Sequence, residues 1–489
     1  MSVDRGMFRL ASWLRPTDQP APGGPRAPLL ASADSARRRR YAEYLAFYEG
    51  QHFPRGRLGR TQLVVNYARA IVDKGVSYLL GRGLGFAVEP PAAPWDAQRQ
   101  REAMGPPSAA LAADEARAAA AEALLYQVYD ANDLDAVDLA AATTAAICGD
   151  AVFKVFWDPR ARRLRVVALD PAGFFARWQG DDPATLVQVD LLYALAADEA
   201  RARYGVAARG EQVEVVETWT ATRFRLEVAG WVVQDGPNPY GVIPFVHVPN
   251  LPSPGSPWGR SDLADVVPLN RELNERLSGQ ADVIRYHAHP PVVFRGVEAH
   301  EGPAVGPGSV WDLPRDADVK LLEWHGTPPA VLEYIHTLLR ALYETSETPR
   351  TAFGDSGRLL SGVALETELR PLLQRTLRKR VVWSAALRRR AQLLWAVAEA
   401  VGLAPPGLFA GLRPRVVWPP LLPQDETRLV ENNVRLVAAG LRSHRTAMEV
   451  LGVESPEEEL ARVRADRARL GARLEREGPA PTPRSEAGA

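Results

Sequence analysis

The chain has 489 residues, 46% of them hydrophobic, with 59 basic and 59 acidic residues and a formal net charge of +0. That length is enough to bury a large core in two to four structural units. The charge balance argues against a free, non-specific nucleic-acid binder, which is normally basic, and leaves room for a protein that only lets nucleic acid pass. The single cysteine, Cys148, excludes an internal disulfide framework and a Cys-based zinc cluster. Residues 1–15 lack the apolar core and small-residue cleavage site of a secretory signal, and no apolar run is long enough to span a bilayer. A soluble cytoplasmic protein is expected.

Residues 17–35 are rich in Pro, Gly and Ala and are not expected to fold alone. Structure is predicted to start near Ala36, in a helix carrying Tyr41, Tyr44, Leu45 and Tyr48 and ending at Gly50. A basic loop over 54–60 leads to a helix over 66–80 with Asn66 as N-cap, closed by Gly81, Gly83 and Gly85. Alanine-rich 109–128 and 133–147 read as two more helices, the second closed by Gly149. The period then changes. Residues 151–157, 164–168, 186–192, 213–219 and 224–233 are β-rich runs separated by turn residues such as Asp158-Pro159 and Asp170-Pro171. A last strand over 243–248 closes this α+β body.

The most informative stretch follows, over 261–402. A helix over 261–289 places Leu263, Val266, Leu273, Leu277, Ala281 and Ile284 on one stripe, a rod of roughly 40 Å. Residues 291–294, 309–313 and 319–322 form a compact β insert, and 328–348 is the returning helix, apolar at Val331, Leu332, Ile335, Leu338, Leu339 and Leu342. A polar loop over 351–362 carries three glycines, Asp355 and Arg358, with an apolar tip at Leu359 and Leu360. It is either a plain linker or a loop facing a channel. A long helix over 363–401 contains Pro371, where a kink is possible, and the basic residues Arg375, Arg378, Lys379, Arg380, Arg388, Arg389 and Arg390. Such a run is usually a solvated face or a set of ion pairs between subunits; phosphate contact is the sharper alternative. A strand over 415–418, two helices over 425–452 and a charged helix over 455–477 complete the chain. Two long one-sided rods joined by a small β module suit a ring with a central channel better than an enzyme active site.

Signatures of chemistry are weak. There is no Walker A sequence. Gly81-x-Gly83-x-Gly85 lacks the third spacing of a dinucleotide loop and follows a helix. His287-Ala-His289 has no third ligand beside it and reads as a polar helix end before Pro290-Pro291. Ser256 and Ser309 lack the strand–elbow–helix setting of a hydrolase nucleophile. No cofactor, metal site or catalytic residue is expected.

Short patterns recur in a specific order. Tyr44-x-x-x-Tyr48-x-Gly50-x-His52 is followed by Val65-Asn66-Tyr67, Ile71-Val72-Asp73 and Tyr78-Leu79-x-Gly81. Then come Gly149-Asp150-Ala151 with Val155-x-Trp157, Asp170-Pro171, Ile243-Pro244, Asn250 and Gly259-x-Ser261-Asp262-Leu263, with Asn270 and Asn274 on the next helix. Ser361-Gly362-x-Ala364-Leu365, Pro423-x-Asp425, Gly440 with Ser443 and Thr446, and Leu451-Gly452 close the series. This order resembles bacteriophage portal proteins (head-to-tail connectors) of the Gram-positive siphophage type over about 41–463.

The resemblance implies an α+β portal fold assembled as a ring. It has a disordered N-terminal arm over 1–35, an α/β wing over 36–257, stem helices over 258–289 and 328–349, and a small β clip over 290–327. A tunnel loop over 350–362, the long spine helix with a return strand of the wing over 363–423, a helical crown over 424–477 and a disordered tail over 478–489 complete it. It implies a dodecameric homo-oligomer at the unique capsid vertex of the virion, assembled in the host cytoplasm, through which double-stranded DNA is packaged and ejected. Partners implied are the terminase large subunit, which supplies ATP hydrolysis, major capsid and scaffolding proteins, and head-completion or tail adaptor proteins, with no membrane. The tunnel loop is then Gly354, Asp355, Ser356, Gly357, Arg358, Leu359, Leu360 and Ser361. The clip would dock partners through Arg295, Glu298, Asp312, Arg315, Asp316, Asp318 and Lys320. The alternatives are a capsid-associated nuclease or protease, which needs a clustered acidic or nucleophile–base site, and a membrane or secretion-ring component, which needs an apolar span or signal.

Overall fold

The structure is a computed structural model that describes residues 26–32, 34–54, 61–91, 109–207, 210–288, 292–295, 318–321, 329–354, 362–422, 426–453, 456 and 459–466. It separates into two compact units, one of Met1–Arg82 with Phe86–Val416, the other of Gly83–Gly85 with Val417–Ala489.

The larger unit opens with α1 (Arg26–Ser32) and α2 (Ser35–Tyr48). The expected arm over 1–35 therefore ends too late, because 26–32 are helical. They do not fold alone: Ala27 is buried and α1 lies on strand β6 of the sheet described below. Helix α3 (Tyr67–Leu80) starts as predicted, with the Asn66 side chain accepting the Arg69 N–H. Strand β1 (Gly85–Glu89), α4 (Ala109–Asn132) and α5 (Leu134–Cys148) follow.

The β-rich part forms two sheets. Strands β2 (Asp150–Asp158) and β3 (Arg163–Leu169) belong to one; β4 (Phe174–Gln179) and β5 (Asp182–Ala196) to the other, followed by α6 (Ala197–Tyr204). Then come β6 (Gln212–Trp219), β7 (Arg223–Val228), β8 (Trp231–Pro237), β9 (Phe245–Pro249) and the short pair β10 (Pro252–Ser253) and β11 (Ser256–Gly259). The sheets run β3-β2-β9 and β4-β5-β6-β7-β8, with antiparallel pairing throughout. Strand β4 has no counterpart in the sequence reading, and the single run over 224–233 is a hairpin. Its turn places Ala229 and Gly230 at φ 52 and 80, the pair of positive angles that matches the twist of two antiparallel strands.

Strand β2 reads as an unbroken apolar run because both its faces are covered. Val152 joins Phe174, Val189, Trp219 and Phe245 between the sheets. Phe153 turns the other way and meets Trp383 edge to face at 6.2 Å. Lys154, the one charge between Ala151 and Trp157, is matched by Glu217 at 2.5 Å.

Helix α7 (Val266–Ala288) leads to the two-stranded pair β12 (Val292–Arg295) and β13 (Asp318–Leu321), and α8 (Pro329–Thr345) returns against α7. The predicted strand over 309–313 lies outside the described residues. Leu273, Ile335 and Leu338 are the buried heart of the helix pair, whereas Ile284, expected on the buried stripe, is 61% exposed. After the short turn Arg350–Phe353, α9 (Gly362–Ala400) runs unbroken through Pro371. Strand β14 (Arg413–Val417) pairs with β1.

The smaller unit contains α10 (Glu426–Ala438) and α11 (His444–Val450), which pack on each other. Ser443 caps α11 by accepting the Thr446 N–H, and Arg442 donates to Asn433 at 2.6 Å.

Candidate functional site: the root of the helical hairpin

Most of the sequence patterns singled out above meet at one place, where α7 begins. Gly149 closes α5 at φ 102, and a Cβ there would sit 2.8 Å from the Gly259 carbonyl oxygen. A Cβ on Gly259 would sit 2.2 Å from the Gly149 oxygen. Two backbones cross here at a distance that only glycine permits. The Asn250 N–H donates to the Gly149 carbonyl and the Gly259 N–H to the Asp150 carboxylate, both at 2.8 Å. Asp150 is fully buried and also accepts from the Tyr41 hydroxyl at 2.5 Å and bonds His247 Nε2 at 2.7 Å. This is the nearest approach to an acid–base pair near the root. Its carboxylate is taken up by structural partners, and the His247 ring is packed between Phe174, Trp178 and Trp258.

The rod was expected to start at Ser261, but the helix starts at Val266. The reason is that Ser261 and Asp262 are used elsewhere. The Ser261 hydroxyl donates to the Ile147 carbonyl at 2.5 Å and accepts the Leu263 N–H. Asp262, which is not among the residues predicted for the apolar stripe, is buried between Lys379 at 2.5 Å and Arg375 at 2.9 Å, with Asn250 Nδ2 donating at 2.7 Å. Burial alone would raise its pKa; the two cations outweigh that and hold it down to about 2.

Arg375 also donates to the Ser346 carbonyl just beyond α8. Arg378 reaches both Glu347 oxygens, at 2.5 and 2.7 Å. One face of α9 thus holds the first residue group of the outgoing helix and the last of the returning one. The basic run on α9 is accordingly not a solvated face throughout. Arg375 and Lys379 pair with Asp262, Arg390 is buried against Asp138, and Arg389 donates to the Ala184 carbonyl.

A second anchor runs along α7. Asn270, Asn274, Ser278 and Asp282 recur every four residues and so share one face. Each holds the segment that leads into α3. Asn270 bridges the Val65 carbonyl and the Ala68 N–H, Asn274 accepts the Val65 N–H, Ser278 the Leu63 N–H, and Asp282 the Thr61 hydroxyl. Asn274 Nδ2 also meets His52 Nδ1 at 2.5 Å, while His52 Nε2 donates to the Phe47 carbonyl. Burial lowers the His52 pKa from its ordinary value. Sequence reasoning noticed the two asparagines by resemblance and missed Ser278 and Asp282. The four-residue spacing of small polar side chains was the available signal.

Of the predicted tunnel-loop residues, Gly354 stands at φ +87 at the end of the Arg350–Phe353 turn. Asp355, Ser356, Gly357, Arg358, Leu359, Leu360 and Ser361 lie outside the described residues. In the β insert Arg295 pairs in register with Asp318 and Val293 with Lys320; Glu298, Asp312, Arg315 and Asp316 lie outside the described residues. Among the described residues no group of His, Cys, Asp and Glu has a metal-holding arrangement, and no helix is long and apolar enough to cross a membrane.

The root thus carries a helical hairpin on an α+β body, with a small β pair leading on from it. The family model "Phage portal protein, SPP1 Gp6-like" matches residues 30–470, and the chain belongs to that family. It is a family of DNA packaging and head–tail connection at the capsid vertex. No curated protein matches the chain.

Proposed function

We propose that this chain is the subunit of a closed, dodecameric ring at the unique capsid vertex, through which double-stranded DNA is packaged and later ejected. The observation that carries this is the root described above. Both ends of the helical hairpin are fixed to α9 by buried charge, so the hairpin is a rigid projection and not a loose insertion. In this reading residues 36–257 serve as wing, the α7–α8 hairpin as stem, residues 290–327 as clip and residues after about 424 as crown. The clip projects furthest from the root and is the docking place for the terminase large subunit and later for head-completion or tail adaptor proteins. Its mixed charges, Arg295, Glu298, Asp312, Arg315, Asp316, Asp318 and Lys320, suit a reversible polar interface.

Residues from Gly354 to Ser361 extend into the channel, where Arg358 attracts phosphate without reading sequence and the Leu359-Leu360 tip slides along the duplex. The protein itself has a structural role, and the motor supplies the ATP hydrolysis. The test is the mass of the purified full chain by light scattering, without nucleotide or metal. About a dozen times 53.5 kDa is expected, and a monodisperse monomer at micromolar concentration rejects the ring.

A further inference from the structure

We infer that the outward stripe of α9 is a contact with the next copy of this chain, and that α4 (Ala109–Asn132) of that copy lies on it; this rests on the ring reading. One side of α9 is buried through Leu372, Trp383, Leu387 and Leu394. The other side presents Arg370, Gln374, Leu377, Val381, Ala385 and Arg388, all exposed and spaced by three or four so that they share one face. A helix with one buried side ordinarily carries polar residues there. Here the middle is apolar, with Leu377 52% and Val381 72% exposed. Charge is confined to the ends, and neither Arg370 nor Arg388 has a carboxylate partner among the described residues.

The complement is on the same chain. The exposed face of α4 runs Glu115, Ala119, Ala123, Tyr126 and Asp130. Its acids stand at the two ends, unpaired among the described residues, and the alanines between them leave space for the Leu377 and Val381 side chains. At 1.5 Å per residue the acids are about 22 Å apart and the arginines about 27 Å, a difference that an arginine side chain spans. A head-to-tail ring requires two different, mutually complementary faces on every subunit. A foreign partner on α9 would leave the matching stripe on α4 without a role, whereas a second copy uses both.

The test uses the full chain in three forms. The parent chain is sized first: if it is a monomer, the ring reading has failed and this inference with it. If the parent is a ring, Val381→Asp, at a position exposed in the protomer, is expected to keep the far-UV circular dichroism and melting profile of an isolated subunit. It should lower the ring fraction by about tenfold or more, because a carboxylate is then enclosed without a partner. Rings from Val381→Asp in parental yield overturn the inference and leave the ring reading intact. The partner helix is tested with Ala123→Cys plus Val381→Cys under mild oxidation. A ladder of disulfide-linked chains extending past the dimer is expected, absent from either single variant and from the parent, whose Cys148 is the control. No ladder from rings of the double variant overturns the assignment to α4.

Discussion

At the scale of single residues, Asp262 is the group on which most depends. Among the described residues it is the one carboxylate bonded to Lys379 and Arg375, which are both buried. Replacing it with Asn keeps the shape and leaves two cations enclosed without a counter-charge, which costs about 3–5 kcal/mol. Chemical denaturation of Asp262→Asn is expected to show a correspondingly lower midpoint. The folded-state pKa of about 2 lies below the ordinary aspartate value of about 3.9. The stabilisation is therefore present above pH ~4 and lost as pH falls toward 2, and that acid dependence should be weaker in the variant.

His52 has its own pH window. Burial lowers its pKa, so its contribution is complete above the unfolded value near 6.5 and declines as pH falls toward the folded one. A proton on Nδ1 would also face the Asn274 amide, donor against donor. Thermal unfolding at pH 7.5 and 5.5 should show a drop for the parent that His52→Gln reduces. An equal drop in both would assign the pH effect to other groups.

At the scale of elements, the ladder on α7 makes the sharpest statement. Asn274→Ala and Ser278→Ala each remove an acceptor for a backbone N–H, a loss of about 1 kcal/mol apiece. The effect should be local. Amide exchange is expected to quicken at Leu63 and Val65 while the α7 amides that pack on α8 stay protected; uniform quickening along α7 would contradict a separate strap. Exchange of this kind reads local opening and not global unfolding.

The same elements mark how far the sequence could be read. Periodicity and caps were enough for the helices near 66–80, 109–132 and 329–345, since these signals are local. The hairpin at Ala229-Gly230 was missed because alanine at positive φ carries no turn signature. The start of α7 was placed too early because Ser261 and Asp262 look like ordinary first-turn residues. What removes them from the helix is the Ile147 carbonyl, more than a hundred positions earlier, for Ser261 and a pair of cations more than a hundred positions later for Asp262, and no spacing rule reports such partners. The tunnel-loop and clip assignments rest on the family pattern, and periodicity does not reach them.

At the scale of the molecule, the proposal turns on whether the loop between α8 and α9 acts on DNA. Gly354, where the predicted tunnel loop begins, has a backbone angle suited to glycine, and the chain on either side is held by Arg375 and Arg378. Deleting residues 355–360 should therefore spare the root and the assembly. Packaging or retention of DNA should be impaired in particles built with the deletion chain. Normal packaging and retention would make the segment a passive linker.

The pairing of Asp262 with Lys379 has a consequence for the order of events during synthesis. When the ribosome has made the α+β body and the whole hairpin, the carboxylate at the root still has no cation, because its two partners have yet to be translated. Burying it alone would be costly, so the root end of the nascent hairpin stays unseated until α9 emerges, while the ladder along α7 already holds residues 61–68. Emergence of α9 thus acts as a licence for seating the root. A truncated product ending before Arg375 would present an unseated hairpin and no surface competent to join a neighbour. In the proposed ring, damaged or unfinished subunits would be left out by their own chemistry, with no separate inspection step.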